Sequence, residues 1–208
     1  VVGLGKSMMA TALAKIFEDD YHTETLIICP KNLVSMWEDY VHTYRLHAKV
    51  MSLAAVISEL PEKTRRFRVV LIDESHNLRN PEGKRYRAIR DYIARNESLC
   101  ILLSATPYNK TYLDLSAQLS LFLRSDSDLG IRPEKYLAAL GGEQEFVRRH
   151  QCPVRSLAAF EKSPDPDDWR DLMRLYLVRR TRGFIMQHYA QVDPETRRKF
   201  LTFADGRK

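Results

Sequence analysis

"RVVLIDE", residues 68 to 74, decides how this chain is read. Val69, Val70, Leu71 and Ile72 follow one another with no polar residue between them. A strand of that kind is covered on both faces, as in a parallel sheet flanked by helices. It ends on two carboxylates, Asp73 and Glu74. Other apolar runs fit the same scheme. "TLIICP" (25–30) reads as a buried strand stopped by Pro30, "KVMSL" (49–53) as a shorter one, and "SLCILLSAT" (98–106) as another buried one. Between them lie helical spacings: 7–17 with Met9, Leu13, Ile16 and Phe17, 32–44 with Leu33, Trp37, Tyr40, Val41 and Tyr44, 82–95 with Tyr86, Ile89 and Ile93 inward, and 111–123. The expected fold is an α/β domain with a parallel sheet flanked by helices.

The rhythm changes after residue 124. "RSDSDLGIRP" is polar and turn-rich, and no strong strand follows. Gly141 and Gly142 interrupt a helical stretch, and "SPDPDDW" (163–169) reads as a loop leading into a helix start. Trp169, Leu172, Met173, Tyr176 and Leu177 give that helix an amphipathic stripe, which ends in "VRRTR" (178–182). Residues 125–188 are expected to form a helical annex on a sheet lobe spanning 1–124, with 189–208 starting a further segment. Asp205-Gly206 is a hairpin turn signal with no second strand after it.

The totals narrow the class. At 208 residues, with 44% hydrophobic and 29% charged residues, the chain has ordinary globular composition. No apolar run approaches the ~20 residues that span a bilayer, and no secretory leader pattern opens the chain, so a membrane role is not expected. Cys29, Cys100 and Cys152 are odd in number, and neither they nor the six histidines show metal-type spacing. An intracellular setting is expected, cytoplasmic or nucleoid in a prokaryote. The net charge of +6 is compatible with a polyanionic partner.

Gly3, Leu4, Gly5, Lys6 and Ser7 stand at the start of the first helical pattern. Backbone N–H groups at such a helix start point at a phosphate, and glycine lets the backbone come close. Lys6 would then reach the β- and γ-phosphates, and the Ser7 hydroxyl would hold Mg2+. Asp73 supplies a carboxylate for the same Mg2+, and Glu74 one to polarise the attacking water. An Asp-Glu pair after a strand is commonplace alone; beside the glycine loop it completes a nucleotide-triphosphatase site. In open parallel sheets ligands gather at the C-terminal strand ends, where both motifs fall. Ser104, Ala105 and Thr106 leave the 98–106 strand at that same end, and His76 follows the acidic pair.

"GLGKS", "LIICPKNLVSMWEDY", "VVLIDESHNLRN" and "LLSATPYN" occur in this order. Together they resemble motifs I, Ia, II and III of superfamily-two helicase-like ATPases of the Swi/Snf family. Pro30, Leu33, Trp37 and Glu38 match the second segment. Asp73, Glu74, His76 and Asn80 match the third, and Ser104, Thr106 and Pro107 the fourth. "LVRRTR" (177–182) is similar to the segment that closes the family's first lobe. Departures are Val1 and Val2 in place of an acidic residue and methionine, Ser75 for a small apolar residue, and Asn109-Lys110 for Gln-Asn.

The resemblance implies a RecA-like lobe, the first of two, using ATP and Mg2+ and acting on double-stranded DNA. It implies that Lys31 and Asn32 touch DNA phosphates, that His76 and Ser104–Thr106 couple phosphate state to the DNA grip, and that a second RecA-like lobe completes the site. A chain that opens inside its first motif is expected to be a fragment, weak or inactive as an ATPase alone. Arg65-Arg66-Arg68 and Lys84-Arg85-Arg87-Arg90 read as solvated faces, and Trp37 as core rather than a base-stacking platform. A DEAD-box-like RNA unwinding enzyme is the alternative, with a binding module inactive alone as a third reading. Trp37 and the "DESHNLRN" run argue against the RNA enzyme.

Overall fold

The computed structural model describes residues 5–60, 65–106 and 111–178, with 187, 190–192, 197 and 199–200. Its centre is a four-stranded, fully parallel sheet. The strands are β1 (Thr25–Cys29), β2 (Ala48–Ser52), β3 (Val69–Ile72) and β4 (Leu99–Leu102), in spatial order β2-β1-β3-β4. Ile28 pairs in register with Ile72 on one side and Met51 on the other, and Ile72 with Leu102. β1 and β3, the central pair, are buried at every position, as unbroken apolar runs require. Because the chain leaves β1 towards β2 and returns to its other side as β3, the order reverses between β1 and β3. Such a switch point opens a crevice beyond the strand ends.

Helices α1 (Lys6–Tyr21) and α2 (Val34–Thr43) cover one face of the sheet. There Ala10 and Trp37 meet Ile27, Cys29, Leu71 and Leu103. The other face carries α3 (Val56–Glu59) and α4 (Lys84–Asn96), whose Tyr86, Ile89 and Ile93 point inward as their spacing predicts. A helix α5 (Leu113–Leu119) then leads to four more: α6 (Glu134–Leu140), α7 (Glu143–His150), α8 (Leu157–Lys162) and α9 (Pro166–Tyr176). α8 and α9 pack with α5 around Trp169, Phe160, Leu157 and Leu172, while Leu137 of α6 and Phe146 of α7 gather with Ala159 of α8. α6 ends on Gly141 at φ +92°, a left-handed cap that suits glycine. α9 starts on Asp165, whose carboxylate accepts from Asp167 N–H, with Pro166 in its first turn.

Several expectations are corrected. The helix expected over 7–17 runs from Lys6 to Tyr21, and its inward face is Ala10, Thr11, Ala14 and Glu18. Met9, Leu13 and Ile16 face outward. Small residues allow α1 close to the sheet, which turns its larger side chains away. The strand expected over 98–106 is only four residues long, and Leu99 is 52% exposed, because β4 is an edge strand. The helix expected over 111–123 is confined to α5 and ends in turns from Ser120. A short antiparallel pair, β5 (Gln191–Val192) and β6 (Lys199–Phe200), was not foreseen. Arg179–Arg182 and Asp205-Gly206 lie outside the described residues.

Candidate active site

The direction of α1 fixes the geometry. At its C-terminal end Glu18 accepts from the backbone N–H of His47 at 2.7 Å, just before β2 begins. That end therefore lies at the N-terminal edge of the sheet, and the first turn of α1 opens at the C-terminal edge, beyond β3. The Glu18 carboxyl is held below its usual range: burial pushes it up, but hydrogen bonds from Lys15 and His47 outweigh that. Gly5 precedes the helix at φ +71°, a left-handed conformation that favours glycine. Lys6 and Ser7 are half-buried in the first turn, where the Thr11 hydroxyl ties back to Ser7 O at 2.9 Å. Gly3 and Leu4 lie outside the described residues.

Asp73 and Glu74 follow β3 at this same edge. Asp73 N–H still donates to Ile28 O at 2.8 Å, extending the ladder, while its side chain is buried. Trp37 Nε1–H donates to Asp73 Oδ2 at 3.0 Å, and Glu74 N–H to Asp73 Oδ1 at 2.8 Å. Glu74 takes φ +49° and ψ +47°, a left-handed conformation that, unlike the helix C-caps His22, Glu97 and Gln151, falls at a strand end. Its Oε2 lies 3.0 Å from His76 Nδ1 and is otherwise buried without a hydrogen-bond partner among the described residues.

The turn after β4 closes the group. Ser104 Oγ stands 3.5 Å from His76 Nδ1, and Thr106 N–H donates to Ser104 Oγ at 3.1 Å. Arg79 Nη2 donates to Thr106 O at 2.6 Å, and its Nε lies 3.7 Å from Asp114 Oδ2. Ser75 Oγ donates to Gln118 Oε1 at 2.8 Å. The segment after β3 is thus wired to the β4 exit and to α5. Lys31 and Asn32 form an exposed 3₁₀ turn directly after β1, next to β3.

Lys6, Ser7, Asp73, Glu74, His76, Ser104, Ala105, Thr106, Lys31 and Asn32 therefore share one sheet edge. Four residues of the network were missed: Trp37 as a partner of Asp73, Arg79, Asp114 and Gln118. Arg79 sits inside the quoted "DESHNLRN" run, which is the one signal that singled it out. The Asp73 carboxylate and Ser7 hydroxyl are hard oxygen donors, the type Mg2+ takes, and Glu74 supplies a further carboxylate oxygen, 3.0 Å from His76 Nδ1. The residues present fit a magnesium–nucleotide site.

No protein-family model matches the chain. It is 24% identical over 143 residues to the SWI/SNF-related matrix-associated actin-dependent regulator of chromatin subfamily A-like protein 1 homolog of Caenorhabditis elegans, covering 58% of this chain and 20% of that protein. It is 24% identical over 223 residues to Helicase SWR1 of Debaryomyces hansenii, covering 93% of this chain and 14% of that protein. The chain thus spans no more than a fifth of these curated relatives. Its fold matches the Sulfolobus solfataricus SWI2/SNF2 ATPase core solved in complex with dsDNA, with a TM-score of 0.57 and 19% identity, over 93% of this chain and 44% of that one. No helix among the described residues is long and apolar enough to cross a membrane. The RecA-like α/β fold is established, and the resemblance to Swi/Snf-family helicase-like ATPases read from the four motifs is borne out in sequence and in fold.

Proposed function

We propose that this chain is the first motor lobe of an ATP-dependent translocase acting on double-stranded DNA. The lobe runs to residue 124, 125–188 form its helical annex, and 189–208 begin a following segment. What supports the reading is the convergence at one sheet edge of the Gly5–Ser7 helix start, the Asp73–Glu74 pair, the Ser104–Thr106 turn and the exposed Lys31–Asn32 turn.

In this reading Gly3–Ser7 cradle the triphosphate, and Lys6 neutralises its outer oxygens. Ser7 and Asp73 hold Mg2+, which when bound offsets the charge that develops on the phosphates. Glu74 orients the attacking water and takes up its proton. His76, 3.0 Å from Glu74 and 3.5 Å from Ser104, relays the state of that carboxylate to the β4 exit. Lys31 and Asn32 grip DNA by its phosphates, which suits movement along any sequence because such contacts carry no base information. A second RecA-like lobe closes on the nucleotide from the opposite side.

The test is ATP turnover by the full-length protein with and without duplex DNA. Lys6→Ala and Glu74→Gln should each lower DNA-stimulated turnover by about 10² or more. Wild-type turnover in both variants removes the site assignment. Stimulation by RNA in place of duplex DNA selects the RNA-unwinding reading. The 208-residue chain alone should turn over little ATP; robust turnover means no second lobe is needed.

A further inference from the structure

We propose that Trp37 is a positioning residue for the Asp73 carboxylate, and that through it α2 ties the Lys31–Asn32 turn to the metal-binding end of β3. The inference rests on the magnesium role given to Asp73 above. Trp37 is fully buried, and it aims its one polar atom at a strand-end carboxylate 36 residues away. Packing alone does not ask for that. Trp169, equally enclosed, satisfies its indole on the backbone oxygen of Ser163, six residues away.

With Trp37 on Oδ2 and the Glu74 N–H on Oδ1, both oxygens of Asp73 are pinned. A carboxylate offers roughly four acceptor positions, so two donors leave room for a further ligand. Partners of this kind orient a metal-binding group, and removing one typically costs about 10–100-fold in metal affinity.

The second half follows from continuity. Leu33 N–H donates to Pro30 O at 2.9 Å, and Val34 N–H donates to Lys31 O, so the 3₁₀ turn runs into α2 without a break. One end of this body carries exposed Lys31 and Asn32; Trp37 is inside it. A phosphate drawn onto the turn shifts the indole against Asp73. Linkage then requires that DNA and Mg2+ change each other's affinity by the same factor.

The experiment measures binding of a fluorescent ADP analogue to the full-length protein against Mg2+ concentration, with and without duplex DNA. Trp37→Phe should raise the half-saturating Mg2+ about tenfold, abolish the effect of DNA on it, and keep nucleotide binding at saturating Mg2+. Trp37→Met, a second donor-free variant with an adaptable side chain, should do the same. Ile27→Val, in the same packed cluster, should lower Tm and leave the Mg2+ dependence alone. A folded Phe or Met variant with wild-type Mg2+ dependence overturns the proposal, as does an equal shift in Ile27→Val. Nucleotide binding by the wild type that ignores Mg2+ overturns instead the magnesium role of Asp73, a separate result.

Discussion

Two aspartates are buried to nearly the same degree, Asp73 in the sheet region at 5% exposure and Asp168 in the helical region at 2%. Their surroundings differ. Asp168 accepts three hydrogen bonds: from Lys135 N–H at 2.9 Å, Tyr136 N–H at 3.1 Å and the Ser163 hydroxyl at 2.6 Å. Those donors are the opening turn of α6 and the loop before α9, so its charge fastens helices together. Among the described residues Asp73 accepts two, and it directly follows β3 at the C-terminal edge of the sheet. Burial of a charge does not by itself mark a functional residue; the contrast lies in where the donors sit, across two helical elements for Asp168 and at a strand end for Asp73.

The largest effects should come from substituting the two in turn. Asp73→Asn keeps an acceptor for only one of its two N–H donors and should cut DNA-stimulated ATP turnover of the full-length protein by about 10² or more, with a Tm loss smaller than that of Asp168→Ala. Asp168→Ala leaves two backbone N–H groups and a hydroxyl unpaired and should cost about 3 kcal/mol in denaturant unfolding. A stable Asp168→Ala variant, or an Asp73→Asn variant with full turnover, breaks the contrast. A smaller effect tests how rigid the sheet-edge site must be. Gly5→Ala forces a side chain onto a left-handed backbone at φ +71° and should cost about 1–2 kcal/mol, visible as weaker nucleotide binding.

The smallest effect separates the regions by thiol chemistry. Burial, and secondarily the charge on Asp73, pushes Cys29 up to about 11, and burial pushes Cys100 up to about 12. Cys152, in the helical region, is raised less, also by burial first. All three stay neutral thiols at pH 8, and alkylation should label the half-buried Cys152 and Cys100 before the fully buried Cys29, which reacts only on unfolding. Because the folded chain keeps these protons after an unfolded thiol has lost its own near pH 9, stability should fall as pH rises from about 9 towards 11. Flat stability across that window contradicts the burial argument.

Much of this architecture was legible beforehand, and the exceptions share a cause. β1, β3 and α4 declare themselves because an unbroken apolar run or a 3.6-residue spacing is a local property. β4 resembles β3 in composition, yet Leu99 is exposed because an edge position depends on neighbours. In α1 the spacing of Met9, Leu13 and Ile16 gave the helix but not its inward face, which closeness to the sheet assigns to Ala10 and Ala14. The order of motifs brought Asp73, Glu74, His76 and Ser104 together on paper. The bond from Trp37 to Asp73 left no such trace, for no periodicity links residues 36 positions apart.

Glu74 sits at φ +49°, where its own β-carbon crowds the backbone and glycine would rest more easily. Selection for a sturdier chain would push this position towards glycine and delete the carboxylate in doing so. Under the proposed function, durability and turnover compete for a single residue, which holds a carboxylate where a left-handed backbone favours glycine.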